Sequence, residues 1–108
     1  MRSTFDAFSA QCPSQATLRD LTGRWVPLVL IALDEGITRF GELHRRIGGS
    51  SERMLAQTLR MLEQNGFVER GAGPRPAYTL TEGGRAVAGR YRELLDTVYA
   101  HLEALAPA

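Results

Sequence analysis

Residues 40–64 have the sequence FGELHRRIGGSSERMLAQTLRMLEQ, in which two amphipathic segments flank the turn Gly48-Gly49-Ser50. Apolar residues recur at helical spacing in both segments: Phe40, Leu43 and Ile47 in the first, and Leu55, Leu59 and Leu62 in the second. Ser51 is a favourable N-cap for the second segment, and Asn65-Gly66 is a stop signal after it. The stretch therefore predicts a helix at 40–47 and another at 52–64. Two helices joined in this way are typical of a helix-turn-helix, whose second helix enters the DNA major groove.

The second helix carries a polar stripe on the side opposite its leucines. Helical periodicity places Arg53, Gln57, Arg60 and Gln64 on that side. Arginine and glutamine can form paired hydrogen bonds with the edges of guanine and adenine, respectively. Ser51, at the start of the helix, offers backbone N–H groups and the positive end of the helix dipole to a DNA phosphate. The alternative interpretation is that the stripe is only a solvated helix face, as most such stripes are.

A hairpin is predicted directly after this helix. Residues 67–70 and 77–80 alternate in the manner of strands, and the glycine- and proline-rich segment 71–76 lies between them. Arg75 lies between two prolines at the tip of this hairpin. A rigid tip beside a recognition helix forms a wing that can reach the adjacent minor groove, where narrow A·T-rich DNA attracts arginine.

The residues before this unit predict two further helices and a short strand. Pro13 favours a first helix that follows Cys12 and ends at Gly23. The nearly continuous apolar run 25–33 is predicted to be a buried helix. Residues 37–39 leave room for only a very short strand.

The residues after the hairpin predict a long last helix that begins at Thr81-Glu82 and continues to Leu105. Its apolar positions follow three- and four-residue spacings: Val87, Tyr91, Leu94, Val98, Leu102 and Leu105. Such a helix is longer than a domain of this size needs to cover its own core, so we expect it to pair with a second copy, together with the first helix. The predicted fold is mainly α (α+β): a winged helix-turn-helix with a two-stranded wing and a long C-terminal dimerisation helix. Residues 1–11 are expected to form an N-terminal arm, and residues 12–105 the domain.

The charge distribution supports a DNA-binding face. The net charge of the 108-residue chain is only +1. Residues 39–92 nevertheless hold ten arginines and five acidic residues, whereas residues 93–108 hold three acidic residues and no basic one. A basic middle between more acidic ends is typical of a protein that presents one face to nucleic acid.

Seven short motifs occur in the order found in one known family. They are Cys12-Pro13 and the segments 21–25 (LTGRW), 39–43 (RFGEL), 51–55 (SERML), 59–63 (LRMLE), 66–70 (GFVER) and 78–84 (YTLTEGG). In combination they resemble the HxlR-type family of winged-helix bacterial transcription regulators, over about residues 12–100. The resemblance implies a dimer built from the terminal helices, with the helix at 52–64 reading DNA. The candidate DNA-binding residues are Arg39, Ser51, Arg53, Gln57, Arg60 and Arg75.

Cys12 is the single cysteine, so it cannot form a disulfide within the chain. It is predicted at the N-cap of the first helix, where the helix dipole and free N–H groups would favour its thiolate. Several HxlR-type proteins use the cysteine of this Cys-Pro motif to sense oxidants or electrophiles. The resemblance implies the same role for Cys12. The alternative is a small, inert residue that only caps the helix.

Other function classes find no support in the sequence. Asp34-Glu35 is expected to be a solvated helix end and His44 a surface residue, so neither is a candidate catalytic group. The sequence contains no nucleophile–base pair, phosphate-binding loop or metal-ligand cluster, so we expect neither an enzyme nor a metal or cofactor site. It shows no export signal and no membrane span, which favours the cytoplasm. The prediction is a transcription regulator, of the repressor type, that binds a pseudo-palindromic double-stranded DNA operator as a homodimer. The alternative is a winged-helix module that binds another protein and not DNA.

Overall fold

The computed structural model describes residues 4–107, and these form five helices and two strands. In chain order the elements are α1 (Pro13–Leu21), α2 (Val26–Asp34), α3 (Phe40–Arg46), α4 (Glu52–Gln64), β1 (Val68–Arg70), β2 (Tyr78–Leu80) and α5 (Glu82–Leu105). This order confirms the predicted winged helix-turn-helix with a long last helix. None of the helices within these residues is both long enough and apolar enough to cross a membrane.

Helix α2 is the centre of the core, as the apolar run predicted. Six of its nine residues are buried, and Pro27 lies in the first turn, where the missing N–H costs no helical hydrogen bond. The helix packs against α1, α3, α4, α5 and β2. The core residues supplied by the other elements are Leu43, Ile47, Leu55, Leu59, Leu62, Val68 and Ala88.

The two strands form an antiparallel ladder in which Val68 pairs with Leu80 and Arg70 with Tyr78. Each strand is one residue shorter than predicted. The N–H of Phe67 instead donates to the carbonyl of Leu62 at 2.9 Å and closes α4. Ala77 instead forms an isolated bridge with Arg39, which is all that remains of the very short strand expected at 37–39.

Helix α3 differs from its prediction in two respects. It ends at Arg46, because Ile47 has an extended backbone with φ −101° and ψ 92°. His44, expected at the surface, is half-buried, and its Nδ1 is buried without a hydrogen-bond partner among the described residues.

Glu35 joins three helices, whereas the sequence predicted a solvated helix end at this point. Its carboxylate oxygens lie 3.3 Å from Nε of Arg46 and 3.5 Å from Nη1 of Arg92. Arg46 is the last residue of α3, and Arg92 lies on α5. The end of α2 is therefore attached by ion pairs to the helix-turn-helix and to the long last helix. Asp34 is exposed, as expected.

The start of α5 is fixed against the end of α4. The Thr81 hydroxyl accepts a hydrogen bond from the N–H of Gly84 at 3.1 Å and donates to the carbonyl of Gly66 at 2.7 Å. A Cβ built on Gly84 would lie 2.0 Å from the carbonyl oxygen of Phe67, which is backbone and cannot move aside cheaply. Glycine at position 84 therefore permits the close approach of α5 to the wing.

We predict that Gly84→Ala lowers the free energy of unfolding by about 1–3 kcal/mol, because the new methyl group would be forced against rigid backbone atoms. Gly89→Ala is the matched control. A Cβ at Gly89 meets no atom within 4 Å, so this change should raise helix propensity and stabilise the protein by up to about 1 kcal/mol. Urea denaturation of both variants measures the difference. Equal stability of the two variants would show that the contact at Gly84 imposes no constraint.

Candidate nucleic-acid interface

Helix α4 has the two faces that its sequence predicted. Leu55, Leu59 and Leu62 are each at most 1% exposed. The four residues of the predicted polar stripe are exposed: Arg53, Gln57, Arg60 and Gln64. Thr58 belongs to the buried face, where its hydroxyl donates to the carbonyl of Met54 at 2.8 Å. The side chain of Thr58 is therefore not available to a ligand on the outer face.

Ser51 caps α4 as predicted. Its Oγ accepts a hydrogen bond from the N–H of Met54 at 3.1 Å, and the residue is exposed. Its hydroxyl oxygen is thus engaged in stabilising the helix. The neighbouring backbone and the positive end of the α4 dipole remain on the same surface as the polar stripe.

Arg39 and Arg75, which are 36 positions apart, meet at the hairpin. Nη1 of Arg39 donates to the backbone carbonyl of Arg75 at 2.5 Å. The N–H of Tyr78 also donates to the carbonyl of Thr38 at 2.8 Å. The hairpin is therefore held to the segment that precedes α3, and the Arg75 side chain is exposed at its tip.

A cleft of about 870 Å³ lies between α3 and the hairpin, and we call it the wing cleft. Its lining consists of Arg39, Phe40, Gly41, Glu42, Arg45, Arg70, Pro74, Arg75, Pro76 and Tyr78. A smaller groove of about 250 Å³ between α4 and the hairpin shares Arg70 and Tyr78 with it and is also lined by Ala56, Arg60 and Glu63. Arg45 and Arg70 were not singled out from the sequence, because neither belongs to a periodic stripe or to a turn.

The arginines of the described chain fall into two groups. Seven guanidinium groups have a partner: those of Arg19, Arg24, Arg39, Arg46, Arg85, Arg90 and Arg92. Five have no hydrogen bond, ion pair or ring contact with any residue from 4 to 107: those of Arg45, Arg53, Arg60, Arg70 and Arg75. All five lie on α3, α4 or the hairpin. The arginines without an internal contact are therefore gathered on the surface predicted to bind DNA. The same elements also carry carboxylates that form no ion pair among the described residues, those of Glu42, Glu52, Glu63 and Glu69.

Cys12 is the N-cap of α1, as predicted, but its sulfur makes no capping hydrogen bond to the helix. Sγ lies 3.1 Å from the Ser14 hydroxyl and accepts a hydrogen bond from the N–H of Asp6 at 3.3 Å. The hydrogen bond with Ser14, followed by that from Asp6, lowers the pKa of the Cys12 thiol below its ordinary value. The N-terminal residues 4–12 thus help to form the environment of this thiol.

The distal half of α5 carries an apolar stripe that no other described element covers. Leu94, Val98, Leu102 and Leu105 are between 41% and 68% exposed. Leu18 on α1 and the arm residues Phe5 and Phe8 are also more than half exposed. The radius of gyration is 15.5 Å, whereas a compact chain of this length would have about 13 Å. The long helix therefore extends beyond the core that the described residues form.

Comparison with known proteins agrees with this geometry. A model of the HxlR-like helix-turn-helix family matches residues 20–105. The HTH-type transcriptional regulator YtfH of Escherichia coli strain K12 is 46% identical over 99 residues, which cover 88% of this chain and 79% of that protein.

Two solved structures are also similar to the chain. The structure of ytfH from Salmonella typhimurium aligns with a TM-score of 0.84 and 40% identity, and covers 94% of both chains. The redox regulator HypR in its reduced form aligns with a TM-score of 0.73 and 29% identity, over 86% of this chain and 96% of that one.

Proposed function

The chain belongs to the HxlR-like helix-turn-helix family, and from this membership we propose that it represses transcription by binding a pseudo-palindromic operator as a homodimer. As a member of this family it is a DNA-binding transcription regulator and not an enzyme. The operator, the repressing role, the dimer and the residues that contact DNA are the proposed parts. We further propose that it acts in the cytoplasm, where the DNA is.

The observation that carries this proposal is the gathering of unpartnered arginines on α3, α4 and the hairpin. A guanidinium group that forms no internal contact is free to contact phosphate or guanine without first breaking a bond. Arg53 and Arg60 share the outer face of α4 with Gln57, and this face would lie in the major groove. Arg75, at the tip held by Arg39, would lie at the adjacent minor groove.

A module that binds another protein is the competing function. Protein interfaces usually have an apolar centre with few charges. The outer face of α4 instead presents arginines and glutamines around its centre, and its leucines face the core. This composition favours DNA as the partner of α4.

We predict that Arg53→Ala or Gln57→Ala costs about 1–3 kcal/mol of binding free energy on the cognate site and much less on random DNA, because these side chains read base edges. The cognate site is first selected from a pool of genomic fragments. Fluorescence anisotropy then gives the affinities for the selected site and for random duplex.

Arg19→Ala is the matched control, since Arg19 is exposed on α1 and contacts only Gln15. It should leave both affinities unchanged. Equal losses on cognate and random DNA would assign Arg53 and Gln57 to the phosphate backbone. No loss on either would favour the protein-binding alternative.

The proposed homodimer is supported by the uncovered stripe on α5 and by the exposed apolar side chain of Leu18 on α1. The 24 residues of α5 span about 36 Å, and only its first half packs on the core. Pairing two copies about a two-fold axis would bury the stripe of both subunits. It would also place two recognition helices about 34 Å apart, which is one turn of DNA.

We predict that Leu102→Asp raises the dimer dissociation constant at least about thirtyfold, because a carboxylate without a partner would be buried in the interface. The control is Ala100→Asp, on the opposite side of α5, which should remain dimeric. Sedimentation velocity measures the dissociation constant, and circular dichroism checks that both variants fold. A Leu102→Asp protein that dimerises as tightly as its control would exclude this stripe as the interface.

We also propose that Cys12 makes DNA binding sensitive to electrophiles. The lowered pKa of its thiol supports this, since the thiolate is the nucleophile. The structural likeness to the redox regulator HypR supports it as well. Cys12 would add to a quinone ring through a new S–C bond, and the thiol proton would pass to the ring, which becomes the substituted hydroquinone.

We predict that 1,4-benzoquinone changes the affinity of the protein for its cognate site, and that Cys12→Ser binds DNA normally but does not respond. Ser14→Ala should respond more slowly, because loss of the hydrogen bond with Ser14 raises the thiol pKa. Ser9→Ala, a serine without contact to Sγ, serves as its control. A wild-type protein whose DNA binding ignores the quinone would leave Cys12 as a helix cap only.

A further inference from the structure

We propose that the wing cleft is a phosphate-binding site for the DNA backbone, in which Arg45 and Arg70 contact phosphate and Glu42 limits the affinity. The proposal rests on the proposed function, because it concerns how the protein holds duplex DNA. It adds three residues to the interface that neither sequence periodicity nor a turn motif had indicated.

The charge in the cleft is the first argument. Its lining contains four arginines and one carboxylate, Glu42. Glu42 forms no ion pair with any residue in the described part of the chain, and neither do Arg45 and Arg70. Elsewhere in the molecule carboxylates do pair with arginines, as Glu35 does with Arg46 and Arg92. A concave surface with uncompensated positive charge attracts anions.

The position of the cleft is the second argument. A helix in the major groove and a wing in the adjacent minor groove must lie on either side of the phosphate strand that separates the two grooves. The wing cleft lies between the hairpin and the helix-turn-helix, where that strand would pass. Arg70 lines both the wing cleft and the groove shared with Arg60 of α4. Arg60 and Arg70 therefore lie between the recognition helix and the cleft, together with the carboxylate of Glu63.

The shape of the cleft is the third argument. Its volume of about 870 Å³ leaves ample room for a phosphodiester group. One wall is fixed by the hydrogen bond from Arg39 to the carbonyl of Arg75 and by Pro74 and Pro76. Arg39 is therefore a positioning residue, which holds the wing, whereas Arg45 and Arg70 are free to contact the ligand.

The test measures how the affinity for a random-sequence DNA duplex depends on salt, because backbone contacts do not depend on base sequence. Each phosphate contact contributes about 0.9 to the slope of log K against log salt concentration. Arg45→Ala and Arg70→Ala should each weaken binding and reduce the slope by about 0.9. Arg90→Ala, which removes an exposed arginine paired with Glu93 on α5, is the control and should leave the slope unchanged.

A second variant predicts a gain of affinity. Glu42→Gln removes the carboxylate that opposes phosphate and should tighten binding to the same duplex about twofold to fivefold. Glu103→Gln makes the same change of charge at the distal end of α5 and should have no such effect. Thermal unfolding of every variant distinguishes altered binding from altered stability.

The outcomes separate the cleft from the proposed function. In one outcome, the wild-type protein binds duplex DNA with a steep salt dependence, and Arg45→Ala and Arg70→Ala behave like Arg90→Ala. This result would overturn the assignment of the wing cleft and leave the proposed function intact. Unchanged affinity in Glu42→Gln would also overturn it. Inorganic phosphate that binds the wild-type protein but not Arg45→Ala, and that does not weaken DNA binding at constant ionic strength, would assign the cleft to a free anion instead of the backbone. Wild-type protein that does not bind duplex DNA would overturn both proposals.

Discussion

The burial of helix α2 is the constraint on which the other elements depend. Most of its surface is aliphatic, and burial of its leucine, isoleucine and valine side chains contributes about 1.5–3 kcal/mol for each one. A nine-residue helix with apolar residues on nearly every side must be covered from all directions. The remaining helices and β2 therefore pack around it, and their amphipathic faces determine which side of each is left for solvent or for a ligand. The outer face of α4 is polar because its inner face supplies leucines to this core.

The elements that a periodic pattern specifies were predictable from the sequence. The bounds of α4 and its two faces agree with the prediction, since Ser51, the leucine spacing and Asn65-Gly66 each act locally. The order of the elements and the start of α5 also agree. These features depend on residues that are neighbours along the chain, so short segments of the sequence are enough to predict them.

The features that the sequence did not reveal depend on residues that are distant along the chain. Glu35 was expected to be a solvated helix end, yet it contacts Arg92, which is 57 positions away. Strand β2 is shorter than predicted because Ala77 pairs with Arg39 and not with β1. Arg45 and Arg70 have no local pattern at all, and only the packing of the hairpin against α3 brings them to one cleft. The fold, and not the composition, likewise determines which arginines form ion pairs or hydrogen bonds within the protein.

The two groups of arginines have a consequence for the free protein. Five guanidinium groups without partners on one surface repel each other, and in the absence of a ligand the nearby carboxylates, water and counterions reduce that repulsion only in part. Added salt screens this repulsion in the folded monomer and at the same time weakens attraction to a polyanion. At this surface, added salt therefore favours the free native state and disfavours its complex with DNA. In the proposed complex, DNA phosphates would supply negative charge beside these arginines and reduce the repulsion that the free protein retains.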